Sequence, residues 1–190
     1  MPKDSDLALG AGERKLFEEM LAERAIRNTL MRYFRGVDRK DFDMIASAYH
    51  PDAYDDHGRY KGDIPGLIEW IRERHEIMDQ AMHFAGNMLI EVDGKVATAE
   101  TYSLCFQHLR VEGMAWANRE PVYRKVTVCF RYVDRFEERN GEWKIAHRIC
   151  VYDWAKETLE QLPSDETRVM AKRSREDAVY RIRHAKAPTS

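Results

Sequence analysis

No stretch of the 190-residue sequence approaches the ~18 consecutive apolar residues of a membrane-spanning helix. The opening Met1-Pro2-Lys3-Asp4-Ser5-Asp6 has no basic region leading into an apolar one, so no secretory signal is expected and the chain reads as cytoplasmic. Charge of one sign is not in excess either. Charged residues make up 34% and the formal net charge is −2, which leaves no footprint for nucleic acid or a membrane surface. Cysteine is scarce: Cys105, Cys129 and Cys150 are odd in number and widely spaced, the pattern of buried thiols rather than disulfides. There is no His-Glu-x-x-His, no paired Cys-x-x-Cys, no glycine-rich phosphate loop and no Gly-x-Ser-x-Gly elbow, so neither a metal nor a cofactor is expected.

What is present fits one domain with tails, in which a core of about 150 residues would bury roughly two thirds of its unfolded surface. Residues 1–12 read as a flexible arm. Ile26, Leu30, Tyr33, Phe34 and Val37 recur at three- and four-residue intervals, predicting a helix from about Glu13 to Asp38 with a possible break near Met20-Leu21. A second helix is expected over Asp41 to Tyr49, stopped by His50-Pro51, then a short strand over Tyr54 to His57 and a third helix from Ile64 to Met78 with Pro65 in its first turn. From there the period changes to two. Met82 to Val92, Val96 to Val111, Pro121 to Glu137 and Trp143 to Trp154 read as strands, with turn signals at Asp93-Gly94 and Arg139-Asn140-Gly141. Helices segregated before an antiparallel meander predict an α+β fold over residues 13–162, one curved sheet wrapped round the first helices with a pocket between them. Residues 163–190 read as a charged helix capped by Ser164, with a thin stripe of Ala171, Ala178 and Ile182, packed on a neighbouring subunit, over the pocket mouth, or simply solvated.

Asp38 stands out because a carboxylate in a last helical turn meets the negative end of the helix dipole and, beside a buried stripe, loses hydration. The plain alternative is that it caps the following helix. His83 lies early in the first long strand, where alternation puts it on one face with Ala85 and Asn87. A histidine on a concave face moves protons near neutral pH when a carboxylate orients its ring; the alternative is a satisfied core histidine. An inward Arg148 would stabilise a developing anion, its alternative being an edge-strand salt bridge. His57 and Tyr132 are placed towards the pocket by parity, whereas His50, His75 and His184 read as surface residues.

Four separated segments, Arg32-Tyr33-Phe34-Arg35-Gly36-Val37-Asp38, His50-Pro51-Asp52-Ala53 with Tyr60-Lys61-Gly62, Met82-His83-Phe84-Ala85-Gly86-Asn87 and Asn140-Gly141-Glu142-Trp143-Lys144-Ile145 leading to Arg148, resemble the SnoaL-like branch of the nuclear transport factor 2-like superfamily. The resemblance spans about residues 15 to 155 and implies a cone-shaped α+β barrel. It is strongest to the cofactor-independent lyases of that superfamily: bile acid 7α-dehydratase, scytalone dehydratase and hexachlorocyclohexane dehydrochlorinase. It implies catalytic roles for His83, Asp38, Tyr33 and Arg148 without a cofactor, and a homotrimer; together with the parity that makes His57, Asn87 and Tyr132 the candidate substrate contacts, the expected reaction is an elimination on a hydrophobic cyclic substrate. Along the third strand, Tyr102-Ser103-Leu104-Cys105-Phe106 departs from the acidic residue of the bile acid enzyme and the second histidine of scytalone dehydratase, and His108 is of open parity. The same fold also hosts ketosteroid isomerases, polyketide cyclases and non-catalytic β subunits of dioxygenases, so an isomerase and a small-molecule-binding module stand as alternatives.

Overall fold

The computed structural model describes residues 10–115, 121–161 and 167–182. Helix α1 (Ala11–Arg39) begins before the expected start and runs unbroken through Met20-Leu21, since neither glycine nor proline interrupts that stretch. Its stripe of Ile26, Leu30, Tyr33, Phe34 and Val37 is buried, as the spacing dictates. Lys40, in the left-handed region at φ 53°, ends the helix and donates its N–H to the carbonyls of Gly36 and Val37. Helix α2 (Phe42–Ala46) then passes so close that a Cβ on Gly36 would lie 2.8 Å from Ile45 Cγ1 and 2.9 Å from Ile45 N. Asp41 caps α2, accepting from the Met44 N–H at 3.3 Å. Capping therefore does not account for Asp38.

Helix α2 stops short of the expected Tyr49 because that residue already belongs to strand β1 (Tyr49–Asp56), which takes in the proposed Tyr54 strand. Pro51 holds His50 extended, and Tyr49 pairs with Ile145. After β2 (Lys61–Gly62), helix α3 (Ile64–Arg74) is capped by Asp63 through the Gly66 N–H at 3.0 Å. It too ends early, because Met78 opens the first long strand.

Four long strands follow, each extending beyond its expected limits: β3 (Met78–Asp93), β4 (Val96–Ala115), β5 (Pro121–Arg139) and β6 (Glu142–Glu160). They form a meander, with Asn140 at φ 56° and Gly141 at φ 81° making the predicted tight turn. The sheet order is β2-β1-β6-β5-β4-β3, antiparallel except where β1 runs parallel to β6. Register shifts in β3, β5 and β6 bend the long strands, and the curved, unclosed sheet wraps its inner face round α1. The expected α+β architecture is the one observed.

The C-terminal expectation needs correction. Ser164 and His184 lie outside the described residues; among the described residues of this segment, 167–177 form turns and bends and Ala178–Arg181 is helical (α4), capped by Asp177. Ala171, Ala178 and Ile182 face outward, and the segment is instead held by Arg173, Asp177 and Tyr180. His50 and His75 are also not surface residues. Both are buried, His50 Nε2 against the Glu137 carbonyl at 2.9 Å and His75 Nδ1 against Arg173 at 2.9 Å.

Candidate functional site

Asp38 and His83 come together where the end of α1 meets β3. Asp38 Oδ1 lies 2.6 Å from His83 Nδ1, while Oδ2 accepts the backbone N–H of His83 at 3.0 Å. One carboxylate thus holds both the strand and the ring, which directs Nδ1–H at Asp38 and makes Nε2 the basic nitrogen of the neutral ring. Both side chains are nearly buried, at 12% and 7% exposure. Burial disfavours an imidazolium here, but Cys105, directly across the β3–β4 ladder, and the Asp38 carboxylate outweigh it and raise the His83 pKa to about 10. The rings of Phe34 and Phe130 pack beside His83, with centroids 5.5 and 6.1 Å away.

A second histidine–carboxylate pair lies on β1 and the turn after it. His57 Nδ1 bonds Asp55, which is fully buried and accepts from the Tyr49 hydroxyl at 2.7 Å. His57 Nε2 faces the hydroxyls of Tyr33 at 3.4 Å and Tyr132 at 3.3 Å, and those hydroxyls are 3.5 Å apart. Burial pushes Tyr33 up to about 12 and Tyr132 well above its usual range, so both remain protonated and act as hydrogen-bond donors.

Arg148 points inward, as expected, but its charge is already engaged. Nε and Nη2 each lie 2.7 Å from an oxygen of Asp134, Nη1 donates to the Tyr49 hydroxyl at 3.1 Å, and the guanidinium stacks 3.8 Å from the Tyr132 ring centroid and 4.3 Å from that of Tyr33. Burial works against the cation, yet Asp134 holds it well above its ordinary pKa; burial also raises Asp134 itself. The bidentate contact is the geometry of an ion pair.

Asn87 departs from its expected parity. Between Ala85 and Met88 the β3–β4 register takes an extra residue on β3, so Met88 turns in to the core and Asn87 is left exposed on the outer face. His108 also lies on the outer parity, bonded to Glu160 at 2.6 Å. Asp55, Asp134 and Tyr49 were missed, although the signal was present: Asp55 shares strand parity with His57, and Asp134 follows Tyr132 by two residues on the same buried face.

On the inner face of β4, the buried hydroxyls of Thr101 and Ser103 have no hydrogen-bond partner among the described residues. Two open depressions, of about 330 Å³ beside Glu76 and Arg110 and about 200 Å³ beside Phe84, Asn87 and Tyr102, both lie away from Asp38 and His83. Among the described residues no three or more His, Cys, Asp or Glu side chains are grouped to hold a metal ion, and no helix is long and apolar enough to cross a membrane.

Comparison with known proteins gives this arrangement a family. An uncharacterized protein of Mycobacterium tuberculosis is 27% identical over 128 residues, 65% of this chain and 80% of that protein. Among solved structures, a type 2 hexachlorocyclohexane dehydrochlorinase superposes with a TM-score of 0.66 at 18% identity, covering 79% of this chain and 97% of that one. A putative scytalone dehydratase of Novosphingobium aromaticivorans does so at 0.63 and 14%, covering 80% and 97%. At those identities the structures speak to the fold. The family rests on the sequence: residues 18–149 match the SnoaL-like domain, and the chain belongs to the SnoaL-like family.

Proposed function

We propose that this protein is a cofactor-independent lyase that eliminates water or a similar leaving group from a hydrophobic cyclic small molecule. The observation that carries the proposal is the doubly bonded Asp38–His83 pair, in which a carboxylate orients and charges an imidazole beside aromatic rings. In its neutral form His83 would take a proton from a carbon next to an electron-withdrawing group through Nε2, with Asp38 stabilising the imidazolium that forms. The C–H electrons become the new double bond, and the leaving group departs with its own bonding pair. The Tyr33 hydroxyl would supply a departing hydroxide with its proton, with Tyr132 and His57 behind it to replace that proton. Arg148, tied to Asp134, would act through the tyrosines it stacks on and not by touching substrate. The names of the dehydrochlorinase and dehydratase neighbours favour elimination.

An isomerase is the second reading, and the His57–Asp55 pair favours it: a second imidazole facing the same tyrosines could return the proton to another carbon. We place the protein in the cytoplasm as a homo-oligomer, with the trimer that the resemblance implies. Exposed Met82, Phe84, Tyr102 and Trp154 on the sheet's outer face support association.

The test is turnover of cyclic alcohols, halides and ketones followed by mass spectrometry, with ligand binding followed by calorimetry. His83→Ala is expected to lower kcat by about two to four orders of magnitude while the ligand still binds. For a base with a raised pKa, wild-type turnover should climb from pH 7 towards pH 10. A ligand that binds wild type and is never converted would make the module a binder.

A further inference from the structure

The C-terminal segment 167–182 lies beyond the part of the chain that matches the family, yet one of its side chains reaches the two elements that form the dyad. Arg173 donates from Nε to the Asp38 carbonyl at 3.0 Å and from Nη2 to the Val37 carbonyl at 2.9 Å. Both are end carbonyls of α1, beyond its regular helical bonding; the Lys40 N–H reaches that of Val37 only at a long 3.4 Å. From Nη1 it donates to the carbonyl of Met78, the first residue of β3, at 2.8 Å. Nη2 also meets His75 Nδ1 at 2.9 Å; burial holds His75 down near 3, so its ring stays neutral and can accept. A guanidinium is planar, so its three nitrogens set the spacing between the carbonyls they bind. Those carbonyls belong to the helix end that carries Asp38 and the strand start that lies five residues before His83. The rest of the segment is tied to the same corner through Arg39–Asp177, Arg175–Asp41 and Tyr180–Asp41.

We propose that Arg173 is a positioning residue, a planar clamp that fixes the end of α1 against the start of β3 and so sets the geometry of the Asp38–His83 pair. The catalytic meaning of this clamp rests on the lyase reading above; the clamp itself does not. Burial lowers the Arg173 pKa to about 10, which leaves it charged at neutral pH and suited to carbonyl oxygens.

The experiment uses the full chain with ¹⁵N-labelled histidine and follows the Nδ1 proton of His83, assigned by its loss in His83→Gln. In Arg173→Gln and Arg173→Lys that proton should exchange with solvent at least about tenfold faster, because the bond to Asp38 opens more often. Lysine keeps the charge but not the fork, so only a geometric role predicts loss in both. Tyr180→Phe loosens the segment at Asp41 and should leave the resonance as in wild type, even where thermal unfolding shows the same loss of stability. If Arg173→Gln unfolds, Arg173→Lys carries the comparison. An unchanged His83 proton in Arg173→Lys, or equal changes in Tyr180→Phe, would overturn the proposal. Neither outcome depends on turnover, so failure of the clamp and failure of the lyase reading are separable.

Discussion

Replacing Asp38 by asparagine removes one charge and almost no volume, and the structure says what the site must then do. In the wild type both carboxylate oxygens accept from His83, one from the backbone N–H at 3.0 Å and the other from Nδ1 at 2.6 Å. An amide has only one acceptor oxygen. If that oxygen keeps the backbone N–H, the amide NH₂ faces Nδ1, which must give up its proton and become the acceptor. The proton moves to Nε2, and the lone pair that would have acted as base is gone. By analogy with asparagine at the orienting carboxylate of a serine protease triad, turnover should fall by about three to four orders of magnitude. The lost charge-assisted bond, worth about 1.5–3 kcal/mol, should bring the His83 pKa down by about one to two units.

The sign for stability follows from that shift. His83 is raised in the folded state, to about 10. Its contribution is therefore fully present below the ordinary histidine pKa of about 6.5 and is lost as pH rises through about 10. Urea unfolding of wild type and Asp38→Asn should differ most near pH 6 and converge towards pH 10. The assay for the tautomer is ¹⁵N NMR at a pH above the lowered His83 pKa, where the ring is neutral and a protonated Nδ1 is distinguished from a protonated Nε2. If Asp38→Asn keeps Nδ1 protonated and leaves the His83 titration where it was, the reasoning is refuted.

The other perturbations act on packing and on the second cluster. Asp134→Ala would leave the wholly buried Arg148 without its carboxylate, and breaking such a pair costs about 3–5 kcal/mol, read as a lower urea midpoint. An unchanged midpoint would mean that the interior is wet enough to solvate Arg148. Gly36→Ala sets a methyl group against Ile45, including its backbone nitrogen at 2.9 Å, so α2 must shift. A loss of about 1–3 kcal/mol in thermal or urea unfolding is expected, and a neutral effect would show that the α1–α2 corner yields freely.

Periodicity was enough to read the helices, the long strands and the faces they bury, because these depend on spacing along a single element. Phe130 and Tyr132 face inward through alternation alone, and Asn140-Gly141 makes its turn because the left-handed region is open to those two residues. Asp38 was conspicuous as a carboxylate where helix electrostatics do not favour one, and His83 as a histidine early in a long strand. Their meeting is a property of packing between elements, which no local pattern determines. Tertiary structure also decided against local rules. An extra residue in β3 turned Asn87 outward, a parallel pairing with β6 drew Tyr49 out of its helix into β1, and the pull of buried carbonyls made a polar clamp of a segment whose apolar stripe suggested a helix. Asp134 and Asp55 could be assigned a face by parity, and His57 lies two residues from Asp55, but the folded chain decides the rest: the cost of burying a carboxylate alone is met by Arg148 from β6 in one case, and by the Tyr49 hydroxyl beside the local His57 in the other.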